Sequence, residues 1–312
     1  GDAQEAVNVA KRLCAQDQVC AIIGPNASGQ CIAIQSVLDQ YKISDMSTVA
    51  TNEKVTMQDG QLKEYNFRVC FLDPFQGTLH ANFAKEELKA DTVYCLGELG
   101  NDYDQGLINY FKEAADKLGI KVITESFPKD NSDFTSYLNN AKKEGAKAIF
   151  APVSIQYAQL IVEQANAQGI KIPLLGSDTW DNNTIVEATV GKNTELYVST
   201  FYAEGGNADF EKGIKEWMNA DSARLEKNGG NDMLAAVTVM GYDAYMVAVE
   251  AIKAAGSSDP AAVMAALPNV KYSGISGDIS FNETGDANRD SAFIKTANTE
   301  KGVWDFVAVQ KA

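Results

Sequence analysis

The chain has 312 residues, 45% of them hydrophobic, which is long enough for two domains with separate cores. It contains 27 Lys and Arg against 42 Asp and Glu, a formal net charge of -15 at pH 7. Nucleic acids and anionic membrane surfaces bind basic protein faces, so this balance argues against both as partners.

The chain shows no sign of inserting into a membrane. No apolar stretch approaches the roughly 20 residues that span a bilayer. The first residues, GDAQEAVNVAKRL, are amphipathic, unlike the basic segment and apolar run of a secretion signal. We therefore expect either a mature or trimmed chain or one that never carried such a segment.

Five cysteines are present, an odd number, with no CxxC and no Cys/His spacing suited to zinc. Cys14 and Cys20 flank a polar turn, so a bridge between them is geometrically conceivable. Cys70 and Cys95 lie in strand-like apolar runs, where buried free thiols are common. Whether Cys14 and Cys20 are bridged stays open at this stage.

In chain order, helical spacing over residues 3–15 is followed by alternating strand-like and helical segments. The predicted strands are 20–23, 44–47, 92–96, 121–125, 148–151 and 173–175, and helices are predicted at 105–118, 134–144 and 156–168. Strands that alternate with helices of ten or more residues predict βαβ units and parallel, doubly wound sheets. Two such sheets fit the length better than one.

The last third of the chain changes rhythm. A long helix is predicted over 235–255 and a short one over 259–267, followed by strands at 277–281, 291–295 and 303–309. The Gly- and Asp-rich segment between the first two of these strands predicts a β-hairpin-like tail. Because a doubly wound domain normally opens with a central strand, the helical start predicts that a strand–helix–strand unit is missing before Gly1.

Two strand-to-helix turns suggest a site for a small anionic group. The run Val19–Ile23 ends at Gly-Pro-Asn-Ala-Ser, and the run 43–47 ends at a second loop that contains Thr51. Each turn is predicted to place a hydroxyl residue, Ser28 or Thr51, at a helix start. Backbone N–H groups and a hydroxyl hold a carboxylate or phosphate without a cation. The structural alternative is that Ser28 simply caps its own helix.

Enzymatic chemistry has little support in these residues. The only histidine, His80, is expected to be a surface or packing residue, and no Ser/His/Asp set, P-loop, GxGxxG motif or metal cluster is present. A hydrolase that uses carboxylates alone is the remaining enzymatic alternative. We therefore expect a binding protein that needs no metal and no cofactor.

The order of several motifs resembles the type I periplasmic binding proteins, specifically the leucine/isoleucine/valine-binding branch of ABC-transporter substrate-binding proteins. The motifs are IIGPNASG, STVATNEKVT, FRVCFLDPFQG, GNDYDQGL, IPLLGSDTWDN, MGYDAYMVAVEAI and GISGDISFNETGD. The resemblance covers essentially the whole chain. It implies an α/β fold of two doubly wound, Rossmann-like lobes joined by three crossover strands, with the first strand–helix–strand unit absent.

The breaks in the βα rhythm then predict the lobe boundaries. We expect an N-terminal lobe from residues 1–72 and 204–274. The C-terminal lobe is expected from residues 75–200 and 278–312. The crossings are predicted near 72–74, 200–203 and 274–277.

The resemblance also implies a ligand site, with an amino acid enclosed between the lobes. Ser28, Thr51 and the backbone near Ala27 would hold its carboxylate, and the Val49 carbonyl would accept a hydrogen bond from its ammonium. Asp178 would be the counter-charge of that ammonium, although a loop or cap carboxylate is the structural alternative.

Three further residues complete the predicted site. Tyr103 matches a pocket-lining tyrosine of the relatives, the alternative being a helix staple. Trp180 is a candidate wall for the ligand side chain. Ser154 stands where branched-chain relatives often carry an aromatic ring, which predicts a roomier or more polar pocket.

By this resemblance the chain is an extracytoplasmic solute-binding protein of an ABC importer. It would capture a free amino acid, branched-chain or related, and deliver it to the membrane permease as a monomer. Its place would be the periplasm or the outer face of the cell membrane, with a lipid anchor carried by an N-terminal segment that is removed or missing from this chain. The alternative is a ligand-sensing receptor ectodomain of the same fold, which requires a membrane or docking segment after Ala312.

Overall fold

The structure is a computed structural model that describes residues 2–311. The chain forms two compact units. Unit 1 contains the described residues up to Asp73 together with Val237–Asp290, and unit 2 contains Pro74–Ala236 together with the described residues from Ser291 on.

Helices and strands alternate along most of the chain, as the sequence predicts. The helices are α1 (Ala3–Ala15), α2 (Ser28–Tyr41), α3 (Asp73–Glu86), α4 (Asp102–Lys117), α5 (Thr135–Lys143), α6 (Ile155–Ala167), α7 (Asn183–Glu187), α8 (Ala208–Asn219), α9 (Ser222–Lys227), α10 (Ala236–Ala255) and α11 (Pro260–Ala266). Single turns of 3₁₀ helix lie at Glu53–Val55, Asp178–Trp180 and Leu267–Asn269.

The strands fall into two main sheets and two short hairpins. They are β1 (Ala21–Ile23), β2 (Ser44–Ser47), β3 (Met57–Gln58), β4 (Gln61–Leu62), β5 (Asn66–Arg68), β6 (Thr92–Glu98), β7 (Lys121–Phe127), β8 (Ala148–Phe150), β9 (Leu174–Gly176), β10 (Leu196–Thr200), β11 (Lys271–Gly274), β12 (Gly277–Ser280), β13 (Ser291–Asn298) and β14 (Val303–Lys311).

Unit 1 is built on a parallel three-stranded sheet in the order β1-β2-β5. Helices α1 and α2 pack against each other and contribute Ala10, Ile34 and Leu38 to a core that also contains Ile22 of β1. The apolar positions of both helices recur at helical spacing, which explains why one face of each is buried. The sheet brings the loops after β1 and β2 to the same edge.

Unit 2 is built on a seven-stranded sheet in the order β14-β13-β10-β9-β8-β6-β7. The five neighbouring strands β10, β9, β8, β6 and β7 are parallel to one another. Strand β13 is antiparallel to its neighbours β10 and β14. Residues 93–96 of β6 are fully buried, as expected for a strand covered on both faces. Strand β6 lies between β7 and β8, so the winding direction of the chain reverses at β6.

The parallel, doubly wound α/β architecture is therefore confirmed. The predicted hairpin-like pairing of strands 277–281 and 291–295 is wrong. Strand β12 pairs with β11 in unit 1, and β13 pairs with β14 in unit 2. The reason is a tight local turn: the backbone N–H groups of Ile275 and Ser276 each donate to the buried carboxylate of Asp243 at 2.8 Å. That turn pairs β12 with its immediate predecessor.

The two units also divide the chain differently from the predicted lobes. Residues 204–236 belong to unit 2 and residues 278–290 to unit 1. The first unit boundary, Asp73/Pro74, falls within the predicted crossing at 72–74, whereas the other two lie at Ala236/Val237 and Asp290/Ser291.

Buried polar contacts explain both differences. The side chain of Asn183 donates to the carbonyls of Asn228 at 2.7 Å and Met233 at 3.2 Å, which ties 204–236 to the rest of unit 2. Asp286 forms an ion pair with the fully buried Arg68, which ties 278–290 to unit 1. Contacts between residues so far apart in sequence leave no local pattern.

His80 is a packing residue, fully buried in α3. Its Nε2 lies 2.9 Å from the Ser199 hydroxyl and its ring lies against Phe150. Burial lowers the pKa of His80 to about 3, so the imidazole is neutral at physiological pH.

Over residues 2–311 all five cysteines are free thiols, including Cys14 and Cys20. Cys70 and Cys95 are buried, as predicted from their apolar runs. Within the same residues, the helices include none that is both long and apolar enough to cross a membrane.

Trp180 lies in the core of unit 2 and packs directly over Gly176. A Cβ at Gly176 would come within 2.4 Å of the Trp180 ring. We expect Gly176→Ala to lower the free energy of unfolding by about 1–3 kcal/mol, the usual effect of overpacking a core. Urea unfolding followed by tryptophan fluorescence measures it.

Gly213→Ala is the matched control. Gly213 lies inside α8, and no atom lies within 4 Å of a Cβ built there. The added methyl should therefore stabilise the protein by about 0.5–1 kcal/mol. Equal effects of the two substitutions would contradict the packing described for Trp180.

Candidate ligand-binding site

The predicted site residues lie where parallel strands end. In unit 1 they follow β1 and β2, and in unit 2 they follow β6, β8 and β9. Ligands of doubly wound sheets bind outside the carboxyl ends of the strands, at the point where the strand order reverses. In unit 2 that point lies beside β6, and Tyr103 lies in the first turn of α4, the helix that follows β6.

The turn from β1 to α2 is the first part of the site. Helix α2 begins at Ser28, and the residue before it, Ala27, has no side-chain oxygen to cap the helix. The first N–H groups of a helix have no acceptor within the helix, and the helix dipole makes this end positive. The turn thus presents donors for an anionic group.

The Ser28 hydroxyl does not cap its own helix. Its Oγ accepts from the backbone N–H of Asn52 at 3.3 Å, and its side chain is buried. This bond connects the β1–α2 turn to the loop that follows β2. The interpretation of Ser28 as an N-cap is therefore wrong.

Thr51 lies in that second loop and is fully buried. Its hydroxyl has no hydrogen-bond partner in the described part of the chain. Such a group is costly in the absence of a partner, and a ligand oxygen would supply one. Val49 is half-buried in the same loop.

The prediction that Thr51 opens a helix is wrong in its detail. The loop after β2 continues into a single 3₁₀ turn, Glu53–Val55. The cap of that turn is Asn52, whose side chain accepts from the backbone N–H of Lys54 at 2.9 Å. Thr51 is therefore free of a capping role.

Arg68 holds this loop in shape, a role that the sequence analysis missed. Its side chain is fully buried, and Nη1 donates to the carbonyls of Ala50 at 2.8 Å and Asn52 at 2.6 Å. Its Nε donates to Asp286 at 2.5 Å. The two carbonyls flank Thr51, so the guanidinium fixes the backbone on both sides of the unpartnered hydroxyl.

In unit 2 the central group is Asp178, the first residue of the 3₁₀ turn after β9. Its Oδ1 accepts from the Tyr103 hydroxyl at 2.6 Å and from Gln76 Nε2 at 2.7 Å. No other residue among residues 2–311 donates a hydrogen bond to its Oδ2. Burial raises the pKa of Asp178 to about 7, while the hydrogen bond from Tyr103 acts in the opposite direction.

Tyr103 is positioned by the start of α4. The Asn101 side chain caps this helix by accepting from the backbone N–H groups of Tyr103 at 3.0 Å and Asp104 at 3.3 Å. The tyrosine is half-buried, and its hydroxyl reaches Asp178. The structure thus joins two predicted site residues that are 75 positions apart.

Two other predicted residues have different surroundings. Ser154 occupies the N-cap position of α6 after β8, is half-buried, and makes no side-chain capping bond. Trp180 is fully buried in the core of unit 2, so its ring packs inside the unit rather than lining a surface. In the part of the chain described, no three His, Cys, Asp or Glu side chains are grouped as metal ligands.

Comparison with known proteins identifies the family. A family model described as periplasmic binding protein matches residues 1–301, and the chain belongs to this family. A Leu/Ile/Val-binding protein homolog of Brucella suis is 27% identical over 289 residues, which cover 91% of this chain and 73% of that protein.

Solved structures show the same fold. The chain is similar to a leucine-binding protein of Thermotoga maritima, with 31% identity and a TM-score of 0.85, over 100% of this chain and 85% of that one. It is also similar to a branched-chain amino acid transporter substrate-binding protein of Streptococcus pneumoniae solved with isoleucine. That comparison has 24% identity and a TM-score of 0.82, over 100% and 84% of the two chains. The type I periplasmic binding protein fold and a solute-binding role follow.

We expect Arg68→Met to lower the free energy of unfolding by about 3–5 kcal/mol, because it leaves the buried carboxylate of Asp286 without its partner. Chemical denaturation measures the loss. Lys253→Met is the matched control, since Lys253 pairs with Glu250 at the surface and should cost at most about 1 kcal/mol. Similar losses in both variants would contradict the role assigned to Arg68.

Proposed function

We propose that the protein binds a free amino acid, with Asp178 as the acceptor of its ammonium group. The observation that carries this proposal is the half-buried carboxylate of Asp178, whose Oδ1 is occupied by two neutral donors and whose Oδ2 is unpartnered. A ligand that brings a cation to such a group offsets the cost of its partial burial.

The carboxylate of the same ligand is assigned to unit 1. There the start of α2 offers backbone N–H groups, and Ser28 and Thr51 offer hydroxyls. These donors are neutral, and the Arg68 guanidinium donates to backbone carbonyls and to Asp286. Hydrogen bonds to a charged group each contribute roughly 1.5–3 kcal/mol, which suits tight but reversible binding.

Val49 and Ser154 complete the proposed site. The Val49 carbonyl would accept a second hydrogen bond from the ammonium, and Ser154 would face the ligand side chain. A serine gives more room and more polarity than an aromatic ring. The ligand that we propose is a branched-chain amino acid or a related one, and the room and polarity at Ser154 argue against a strict preference for leucine or valine.

The biological role that we propose is import. The matching relatives include Leu/Ile/Val-binding proteins and a branched-chain amino acid transporter substrate-binding protein, which supports an extracytoplasmic protein that passes its ligand to an ABC permease. We also propose that a lipid anchor on an N-terminal segment holds the protein at the membrane and that the protein acts as a monomer.

A thermal-shift screen of the purified protein against the free amino acids tests this function. We expect one amino acid or a small related group to raise the melting temperature, and titration calorimetry to give saturable 1:1 binding. A screen in which no amino acid stabilises the protein, although it is folded and monodisperse, would contradict the proposal.

Replacement of Asp178 should weaken binding more than replacement of any other polar residue of the site. Asp178→Ala removes the partner of the ammonium, which costs roughly 2–5 kcal/mol, or a loss of about 30-fold to several-thousand-fold in affinity. Ser28→Ala should cost less, because backbone N–H groups of the same turn still hold the carboxylate. Calorimetry with the amino acid found in the screen measures both.

Asp178→Asn is the matched control for charge, since it keeps the size of the side chain and an acceptor for Tyr103. We expect it to bind as weakly as Asp178→Ala. Binding by either variant within about threefold of the parent would show that Asp178 is only a loop carboxylate.

A further inference from the structure

We propose that Gln76 is a positioning residue that, together with Tyr103, fixes the Asp178 carboxylate so that Oδ2 alone is presented to the cationic group of the ligand. This inference rests on the proposed function, in which Asp178 binds an ammonium. Gln76 lies in the motif FRVCFLDPFQG, which by itself gives this residue no role, and the two carboxylate oxygens of Asp178 are assigned separate roles.

Gln76 holds Asp178 at two points. It is fully buried in α3, and its Nε2 donates to Asp178 Oδ1 at 2.7 Å. Its Oε1 accepts from the backbone N–H of Asp178 at 3.4 Å. One amide thus contacts both the side chain and the backbone of the same residue, which limits rotation of the carboxylate.

The two carboxylate oxygens of Asp178 differ in their hydrogen bonds. Oδ1 already accepts from Gln76 and from the Tyr103 hydroxyl, at 2.7 and 2.6 Å. A carboxylate oxygen has two lone pairs, so both are used. An incoming ammonium must therefore bind at Oδ2.

The chemistry of the two donors matters as much as their position. An amide and a phenol stabilise a carboxylate without neutralising it, whereas a Lys or Arg in their place would form an ion pair and compete with the ligand. The charge of nearby Asp181 raises the pKa of Asp178. Asp181 itself accepts hydrogen bonds from Lys295, at 3.1 Å through Oδ1 and 3.0 Å through Oδ2. The negative charge of Asp178 is thus left for the ligand.

The helix that carries Gln76 is itself fixed against the helix that carries Tyr103. A Cβ at the next residue, Gly77, would lie 2.6 Å from the backbone nitrogen of Phe111 in α4. Only glycine permits this close approach of α3 and α4. The spacing of the two donors around Asp178 is therefore set by backbone packing rather than by flexible side chains.

The test uses Gln76→Met, which keeps the length of the side chain and removes both hydrogen bonds. The first readout needs no ligand: the Asp178 carboxyl carbon is titrated by NMR in the parent and the variant. Loss of a donor to the ionised form should move the midpoint upward by about one pH unit from its value near 7. An unchanged midpoint would overturn the inference.

The second readout is the affinity for the amino acid found in the screen, measured at pH 7 and pH 9. We expect Gln76→Met to bind about tenfold more weakly at pH 7 and about threefold more weakly at pH 9. The deficit shrinks because at pH 9 the carboxylate is ionised in both proteins. A deficit that is the same at both pH values would indicate a general structural effect and would also overturn the inference.

Gln164→Met is the matched control. Gln164 also uses both ends of its amide, donating to the Ser132 carbonyl at 2.8 Å and accepting from the Phe134 N–H at 2.6 Å, but it has no bond to Asp178. It should leave the Asp178 midpoint and the pH dependence of binding unchanged. If the NMR midpoint moves in Gln76→Met while no amino acid binds the parent, the positioning role stands and the proposed function fails.

Discussion

The proposed ligand site depends on one interaction, the pair of hydrogen bonds by which two neutral groups hold Asp178 Oδ1 in a half-buried position. Burial disfavours the ionised carboxylate, and the hydrogen bond from Tyr103 favours it. Gln76 donates to the same oxygen at 2.7 Å. Burial raises the pKa of Asp178 to about 7, so both protonation states are populated in the free protein near neutral pH. An ammonium ligand would draw this equilibrium to the ionised form.

The same physical principle applies to the other unit. The donors near Ser28 and Thr51 are neutral, and the buried cation of unit 1, Arg68, donates to backbone carbonyls and to Asp286. Within each unit, hydrogen bonds position the residues that we propose to contact the ligand, and in that proposal the compensating charges would come from the ligand. Binding of this kind is selective for a zwitterion because a ligand without one of its charges leaves a buried polar group unpaired.

The sequence carries much of the fold because the fold is locally encoded. Alternating strand and helix patterns predict the parallel sheets, and the turns after β1 and β2 indicate where Ser28 and Thr51 lie. Local patterns can also give wrong predictions. Thr51 is predicted to open a helix, but it precedes a 3₁₀ turn that Asn52 caps. Trp180 is predicted to line the ligand pocket, but its ring packs over Gly176 in the core.

The interactions that organise the site are not locally encoded. Gln76 and Asp178 are 102 positions apart, and Arg68 and Asp286 are 218 apart. All four residues lie in the quoted motifs, but no periodicity or motif indicates which residue pairs with which, and a single Arg or Gln is ambiguous without its partner. An arginine within the run NFRVCF is nonetheless a usable signal, because a buried cation requires a partner.

Calorimetry in buffers with different ionisation enthalpies tests the central claim most directly. Because burial raises the pKa of Asp178 to about 7, the carboxyl is partly protonated in the free protein at pH 7 and ionised in the complex, so binding of an amino acid should release a fraction of a proton per ligand. The release should fall towards zero as the pH rises well above 7, and it should be absent in Asp178→Asn. Binding with no proton release at pH 7, or with the same release in Asp178→Asn, would contradict the account.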